Sequence, residues 1–489
     1  MKRLSAGLVV ALWLSLAAVS RAAESPWAEL ARTDIERMAA LMRDNHPGPV
    51  DPENPAYAQR LEAIYPRALA KAASAASFFD YKRAILFYTN AFRDGHTGVI
   101  FKVDPSAYEW PGFDVALGDD GVYRVDQAEP GLPVKPGDVV ESCDGRAVDQ
   151  LMRERIDPYY WNADLPHERR LHAAKLFVLE AGDEPSRIGA CRIRAGGSSQ
   201  DVALAWRPLP RERADQLRAK HFYEGSPRLT RSGGAWVVRL PTFMFQTPEQ
   251  TAEIEQLLAQ MKAHQSELRT GRVVLDLRGN TGGGSDWGDQ VAVLIWGEPT
   301  VRRAEGSFDW TVDWRASPAN LQKIDDTIAR YRKNNLTDAL PGLTATRDAI
   351  AAALREGRPL ARVPNPPDAE AGPAPPSPFS GRAYVVTDGF CASACLDLMD
   401  IARRMPNTVQ VGWPTSADTV YIDNTLATLP SGLAFFGYSM KVYRHRVRSN
   451  NQWYDPQVPW PGGPATDDAV AAWLARLTAA PATEPAAPR

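Results

Sequence analysis

Two runs restrict most what this chain can fold into: "RVVLDLRGNTGGG" at 272–284 and "AYVVTDGFCASAC" at 383–395. Each opens as an unbroken apolar stretch, without the alternation of a strand that has one wet face, so each predicts a strand in a sheet covered on both sides. Each then stops at small residues and resumes at helical spacing. Trp287, Val291, Leu294 and Ile295 follow the first; Cys395, Leu398, Met399 and Ala402 follow the second, ending before Pro406. A strand that feeds a helix and then another buried strand needs crossover connections, so the expected class is α/β within a larger α+β multidomain chain.

The rest of the sequence divides around these units. Apolar residues at helical spacing from Trp27 to Phe92, broken by "NHPGPVDPENPAY", predict an N-terminal helical region over 23–107. From 108 to 208 short β-branched runs alternate with "GDDG", "CDGRA" and "AGGSS", which is strand and turn chemistry. A core over 209–475 follows, with an insertion at about 298–380 that ends in the rigid, polar "RVPNPPDAEAGPAPPSPFSG" and is a candidate lid. The tail, 476–489, is expected to fray.

The first 22 residues have a basic start, an apolar stretch from Gly7 to Val19 and small residues near Ala22, the pattern of an export signal. Its removal takes Lys2, Arg3 and Arg21 from a formal net charge of −3, leaving −6, and no later stretch is apolar enough to span a bilayer. An exported chain, periplasmic or secreted, is expected. Mild acidity without a long basic run argues against nucleic acid as a partner. Four cysteines, Cys143, Cys191, Cys391 and Cys395, suit an oxidising compartment; proximity favours Cys143 with Cys191 and Cys391 with Cys395 among the three pairings. No histidine stands at ligand spacing beside them, so no metal is assigned, and no cofactor either.

The chemistry lies in the two turns. Gly279, Gly282, Gly283 and Gly284 permit positive φ and can aim main-chain N–H groups at one point beside a helix N-terminus. A phosphate loop fits poorly, because no Gly-Lys-Ser/Thr closes the run. Ser393 stands at the carboxyl end of a strand with the amide of Ala394 at the helix start, which either caps the helix or exposes a nucleophile beside an oxyanion donor. A nucleophilic serine needs a base. Of seven histidines, His96 in "FRDGHTGVIF" has the most informative setting; His46 reads as a turn residue, and His167, His172, His221, His264 and His445 stand among charges expected to be exposed.

"DGHT", "LDLRGNTGGG", the turn "CASAC" and "VQVGWPT", in that order, resemble the tail-specific (C-terminal-processing) serine peptidases and their tricorn-core relatives. The resemblance implies a crotonase-like αβ core, Ser393 as nucleophile, and oxyanion donors from Gly282 or Gly283 and from Ala394. It also implies a PDZ-like module, matched by "LPVKPGDVVESCDGRAVDQL" at 132–151, that docks an extended peptide by strand addition. Where many members carry a lysine after the "VGEPT" run, this chain reads "VGWPTSADTVYID" and has no lysine until Lys441. That favours the histidine branch, with His96 as base and Asp455 as its orienting acid, Asp418 and Asp423 being alternatives. The implied activity is a serine endopeptidase acting on unfolded or tail-presented polypeptides. A non-catalytic binder of peptides or apolar ligands, or an esterase with the same Ser-His site, are the competing readings.

Overall fold

The computed structural model describes residues 25–103, 107–118, 120–160, 162, 164–180, 182–183, 186–219, 225–306, 311–333, 339–363, 376–462 and 466–479. The stretch expected to be an export signal, most of the Pro-rich segment and the end of the tail lie outside them. The chain opens with helices α1 (Pro26–Asn45), α2 (Pro55–Ala73) and α3 (Phe78–Asn90) and strand β1 (Gly98–Phe101). Ser25 and Ser77 cap α1 and α3 by accepting the amides of Trp27 and Asp80, and prolines open α1 and α2 where no amide partner is needed.

A β-rich stretch follows. It contains β2 (Tyr108–Trp110), β3 (Phe113–Leu117), β4 (Tyr123–Ala128), β5 (Val139–Cys143) and β6 (Arg146–Ala147), then α4 (Val148–Arg155) and α5 (Pro166–His172), then β7 (Leu179–Glu180), β8 (Ala190–Ala195), β9 (Ser198–Ala203) and β10 (Arg207–Leu209). Strands β3, β4, β5, β8 and β9 form one antiparallel sheet, with β6 paired to β5, where the PDZ-like module is expected; β10, β2 and β7 form a small second sheet. Cys143 stands opposite Cys191 across β5 and β8 and is bonded to it.

The remainder comprises α6 (Arg211–Ala219), β11 (Arg228–Ser232), β12 (Ala235–Arg239), α7 (Pro248–Ala263), α8 (Gln265–Thr270), β13 (Arg272–Asp276), α9 (Ser285–Trp296), α10 (Glu298–Gly306), β14 (Thr311–Arg315), α11 (Pro318–Lys333), α12 (Leu340–Arg355) and β15 (Leu360–Val363). After these come β16 (Arg382–Thr387), α13 (Ala394–Ala402), β17 (Thr408–Gly412), β18 (Tyr421–Thr428), β19 (Ala434–Arg444), β20 (Val458–Pro459) and α14 (Asp467–Ala479). The central sheet runs β11-β12-β13-β16-β17-β20, parallel from β12 onward. One face buries Val273, Leu275, Ala383 and Val385 against residues of α7, α9 and α13; the other buries Val274, Tyr384 and Val386 against α14. Both apolar runs are therefore covered on both faces, which is why they do not alternate.

The helical region is not self-contained. Strand β1 pairs antiparallel with β19, Gly98 opposite Gly437, in a sheet that also holds β14, β15 and β18. Ile35, Met42 and Tyr81 share one core with Trp314, Ile324, Phe436 and Val442. The insertion thus builds a second core with the N-terminal helices; none of its described residues lines the cavity described below, and most of the Pro-rich part of the expected lid lies outside the described residues.

Candidate active site

Register brings the two turns together. Asp276 of β13 pairs with Val386 of β16, so the chains leave the sheet side by side. Two contacts then tie the turns: the Gly279 amide donates to Asp388 Oδ2 (2.9 Å) and the Ala392 amide donates to the Asn280 carbonyl (3.3 Å); within the glycine-rich turn the buried Asn280 side chain accepts from the Gly282 amide while donating to the Leu240 carbonyl just after β12 (both 2.9 Å). Burial pushes the Asp388 carboxyl up to about 7, against the pull of the Phe390 and Gly279 amides.

Ser393 occupies φ 54°, ψ −123°, a conformation that costs a non-glycine residue about 1–3 kcal/mol and marks functional turns. Its hydroxyl makes no capping bond to α13, so the serine is not spent on ending the helix. The amides of Ala394 and Gly283 have no hydrogen-bond partner among the described residues, whereas that of Gly282 is taken by Asn280. Of the two glycines expected to supply a donor, Gly283 keeps its N–H available. Its φ of 139° and its contact with the Phe243 backbone leave no room for a side chain. Cys391 and Cys395 are disulfide-bonded with Cα atoms 5.3 Å apart; Cys391 precedes the helix, so the bond arches over the Ser393 turn.

The motif "DGHT" is an Asp-anchored turn. Asp94 accepts the His96 amide (2.9 Å), the Thr97 hydroxyl (2.9 Å) and the Thr419 hydroxyl (2.8 Å), which fixes the loop between α3 and β1 to the loop after β17. His46, fully buried, accepts the Gly48 amide at Nδ1, so its proton is on Nε2, 3.6 Å from Asp94. Burial alone would raise Asp94, but the His46 hydrogen bond and the charges of His96 and His46 hold it below the ordinary carboxylate range. His46 is pulled down by burial despite Asp94, and is thus more than a turn residue.

His96 and Ser393 line one cavity of about 720 Å³ together with Thr281, Gly283, Met244 and Phe390, and β1 is what carries the histidine there across the fold. No hydrogen bond joins the two side chains, and His96 Nδ1 is buried without a partner. The expected orienters are elsewhere. Asp455 is exposed and accepts the Trp453 indole N–H; its neighbour Tyr454 is the residue that turns inward, to Asp400, so Asp455 stays away from the cavity. Asp423 pairs with Lys441. Asp418 does line the cavity, but Arg446 and Arg448 hold its carboxylate.

Two histidines placed among charges by sequence are in fact enclosed. His167 is 5% exposed, and its Nε2 is 2.9 Å from both Glu168 Oε1 and Ser416 Oγ. One nitrogen serves both neighbours, which is not the arrangement of a base held by an acid on one nitrogen and a nucleophile on the other. Burial favours protonation of Glu168, yet its bonds to His167 and His172 keep it low; burial pulls His172 down. Glu168, His172 and Ser416 line the same cavity as Ser393. The signal for this cluster was the spacing "HERRLH", where charge concealed burial.

No family model matches the sequence, and no curated protein matches it. Among solved structures, mature CPAF aligns with a TM-score of 0.60 at 13% identity, over 93% of this chain and 97% of that chain. Mature CPAF complexed with lactacystin gives 0.61 at 12%, over 93% and 98%. This chain has the fold of mature CPAF. The photosystem II D1 C-terminal processing protease aligns more loosely, at a TM-score of 0.34 and 14% identity over 92% and 97%. The likeness to CPAF embraces the helical start, the antiparallel sheets and the mixed sheet alike, since the alignment spans nearly all of both chains.

Proposed function

We propose that this protein is an exported serine endopeptidase that cleaves polypeptides at Ser393. The observation that carries the reading is the turn itself. A strained serine whose hydroxyl is not used for capping stands beside two unpaired main-chain amides, in a cavity that also receives an imidazole.

Ser393 Oγ bonds to the carbonyl carbon as its proton passes to His96; the oxyanion rests on the amides of Gly283 and Ala394. Collapse breaks the C–N bond, and His96 returns the proton to the leaving amine. A water then repeats the sequence to release Ser393. Each amide is worth about 3 kcal/mol in the transition state. The Ser393–His96 hydrogen bond forms as substrate fills the cavity, since catalytic contacts are commonly long before loading. Asp94, which accepts the His96 main-chain amide, positions the residue that carries the base. CPAF has been solved in complex with lactacystin, and the same compound is a suitable probe here.

The test is turnover of an unstructured polypeptide by wild type, Ser393→Ala and His96→Ala on samples with matched melting curves. Loss of at least about 1,000-fold in both variants is expected. Equal rates would remove the peptidase. Ester cleavage without peptide cleavage would favour the esterase, and ligand binding without a covalent adduct the binder.

A further inference from the structure

Behind the wall of the catalytic cavity is a second cleft, of about 830 Å³, lined by Arg60, Arg67, Arg93, Arg153 and Arg169 with the carboxylates of Asp157 and Asp164. Its ion pairs do not balance. Arg93 meets Asp164, Arg153 meets Asp149, and Arg169 meets Asp149 and Asp157. Arg60 instead donates to the Phe92 carbonyl (3.0 Å), and Arg67 lies 5.4 Å from the Phe87 ring centre; neither has a carboxylate partner among the described residues. Two guanidinium charges remain uncompensated, in a chain whose net charge is −3.

The cleft shares its wall with the catalytic cavity in three places. Arg93 faces the cleft and His96 the cavity; Arg153 and Asp157 face the cleft, and Ile156 and Tyr159 the cavity; on α5, Arg169 faces the cleft and Glu168 the cavity. The Cα atoms of Arg93 and His96 are at most about 11 Å apart, which sets the cleft beside the His96 side of the cavity, near the flanking residues of a long polypeptide bound there.

We infer that this cleft is an accessory site for an acidic segment, Asp- or Glu-rich, of the polypeptide cleaved at Ser393; it rests on the peptidase reading. Guanidinium groups suit carboxylates because their planar N–H pairs match both oxygens. A nucleic acid is the poorer occupant. Only two charges are free to displace counterions, and the acidic remainder of the chain repels a long polyanion.

The experiment uses the full chain. Two fluorescein-labelled peptides share one central sequence and end in a block of about five residues, acidic in one and Gly/Ser in the other. Binding to Ser393→Ala is read by anisotropy at about 50 and 300 mM NaCl, and turnover by wild type is followed for both. The acidic peptide should bind about 10-fold more tightly at low salt, with the advantage shrinking at high salt. Arg67→Glu, with Arg60→Gln as a second variant of matched melting temperature, should abolish that advantage, raise KM for the acidic peptide and leave kcat and the neutral peptide unchanged. Equal binding of both peptides, an advantage that survives both variants, or tighter binding of a single-stranded DNA of equal charge would overturn the proposal. If wild type cuts neither peptide while Ser393→Ala still prefers the acidic one through Arg67, the acidic site stands and the peptidase reading falls.

Discussion

Gly282 and Ser393 touch. A Cβ on Gly282 would lie 2.8 Å from Ser393 Cβ and 2.9 Å from the Ala394 amide nitrogen, so the glycine-rich turn and the serine turn form a single surface. Gly282 also holds φ 95°, which an L side chain rarely adopts. Gly282→Ala should therefore displace the serine or its oxyanion donor while leaving both strands in place. The expected outcome is a fall in kcat of about 100-fold or more, with far-ultraviolet circular dichroism unchanged.

Asp94 holds three donors from three positions, the His96 amide and the Thr97 and Thr419 hydroxyls. Asp94→Ala leaves them buried and unpaired. Each such loss costs about 1–3 kcal/mol, so the melting temperature should drop markedly and kcat should fall with it. Asp94→Asn, whose single amide oxygen can still accept the His96 amide and the Thr419 hydroxyl but not the Thr97 hydroxyl as well, should recover part of the stability but not the activity. Paired melting and turnover measurements check this.

The two disulfides should separate by function. Under the chain-entropy model, closing the 48-residue separation of Cys143 and Cys191 contributes about 4 kcal/mol, and closing the four-residue separation of Cys391 and Cys395 about 2 kcal/mol. Removing the first by paired alanine substitution should lower stability more and turnover less. Removing the second frees the turn that carries Ser393, and should lower turnover more than stability.

Asp388 gives a pH dependence of known sign. Its folded value is raised, to about 7, above an ordinary carboxylate, so the folded state holds the proton more tightly than the unfolded state. The stability it contributes is fully present below about pH 4 and is lost as pH rises through about 7. A series of melting temperatures from pH 5 to 8 should therefore decline more steeply for wild type than for Asp388→Asn. Parallel curves would remove this role.

Much of this could be read from local chemistry. The runs "RVVLDL" and "AYVV" carry their burial in their own lack of alternation, and the glycines and small residues after them mark the turns. What sequence could not supply is set by pairing between distant segments. The match of Gly98 with Gly437 fuses the helical region to the later sheet and delivers His96 to Ser393's cavity. His167 and Glu168 appear as surface charges until each is seen to be the other's buried partner. Position along the chain favours Asp455 over Asp418 but says nothing about which way Tyr454 and Asp455 turn; Tyr454 faces in and Asp455 out.

The most direct measurement is mass-spectrometric mapping of the residue modified by a fluorophosphonate on the folded wild-type chain. A single adduct on the peptide containing Ser393, reduced at least about 100-fold in rate by His96→Ala, is the predicted result. An adduct on Ser416, or none on folded protein, would contradict the assignment of Ser393 and His96 as a reacting pair.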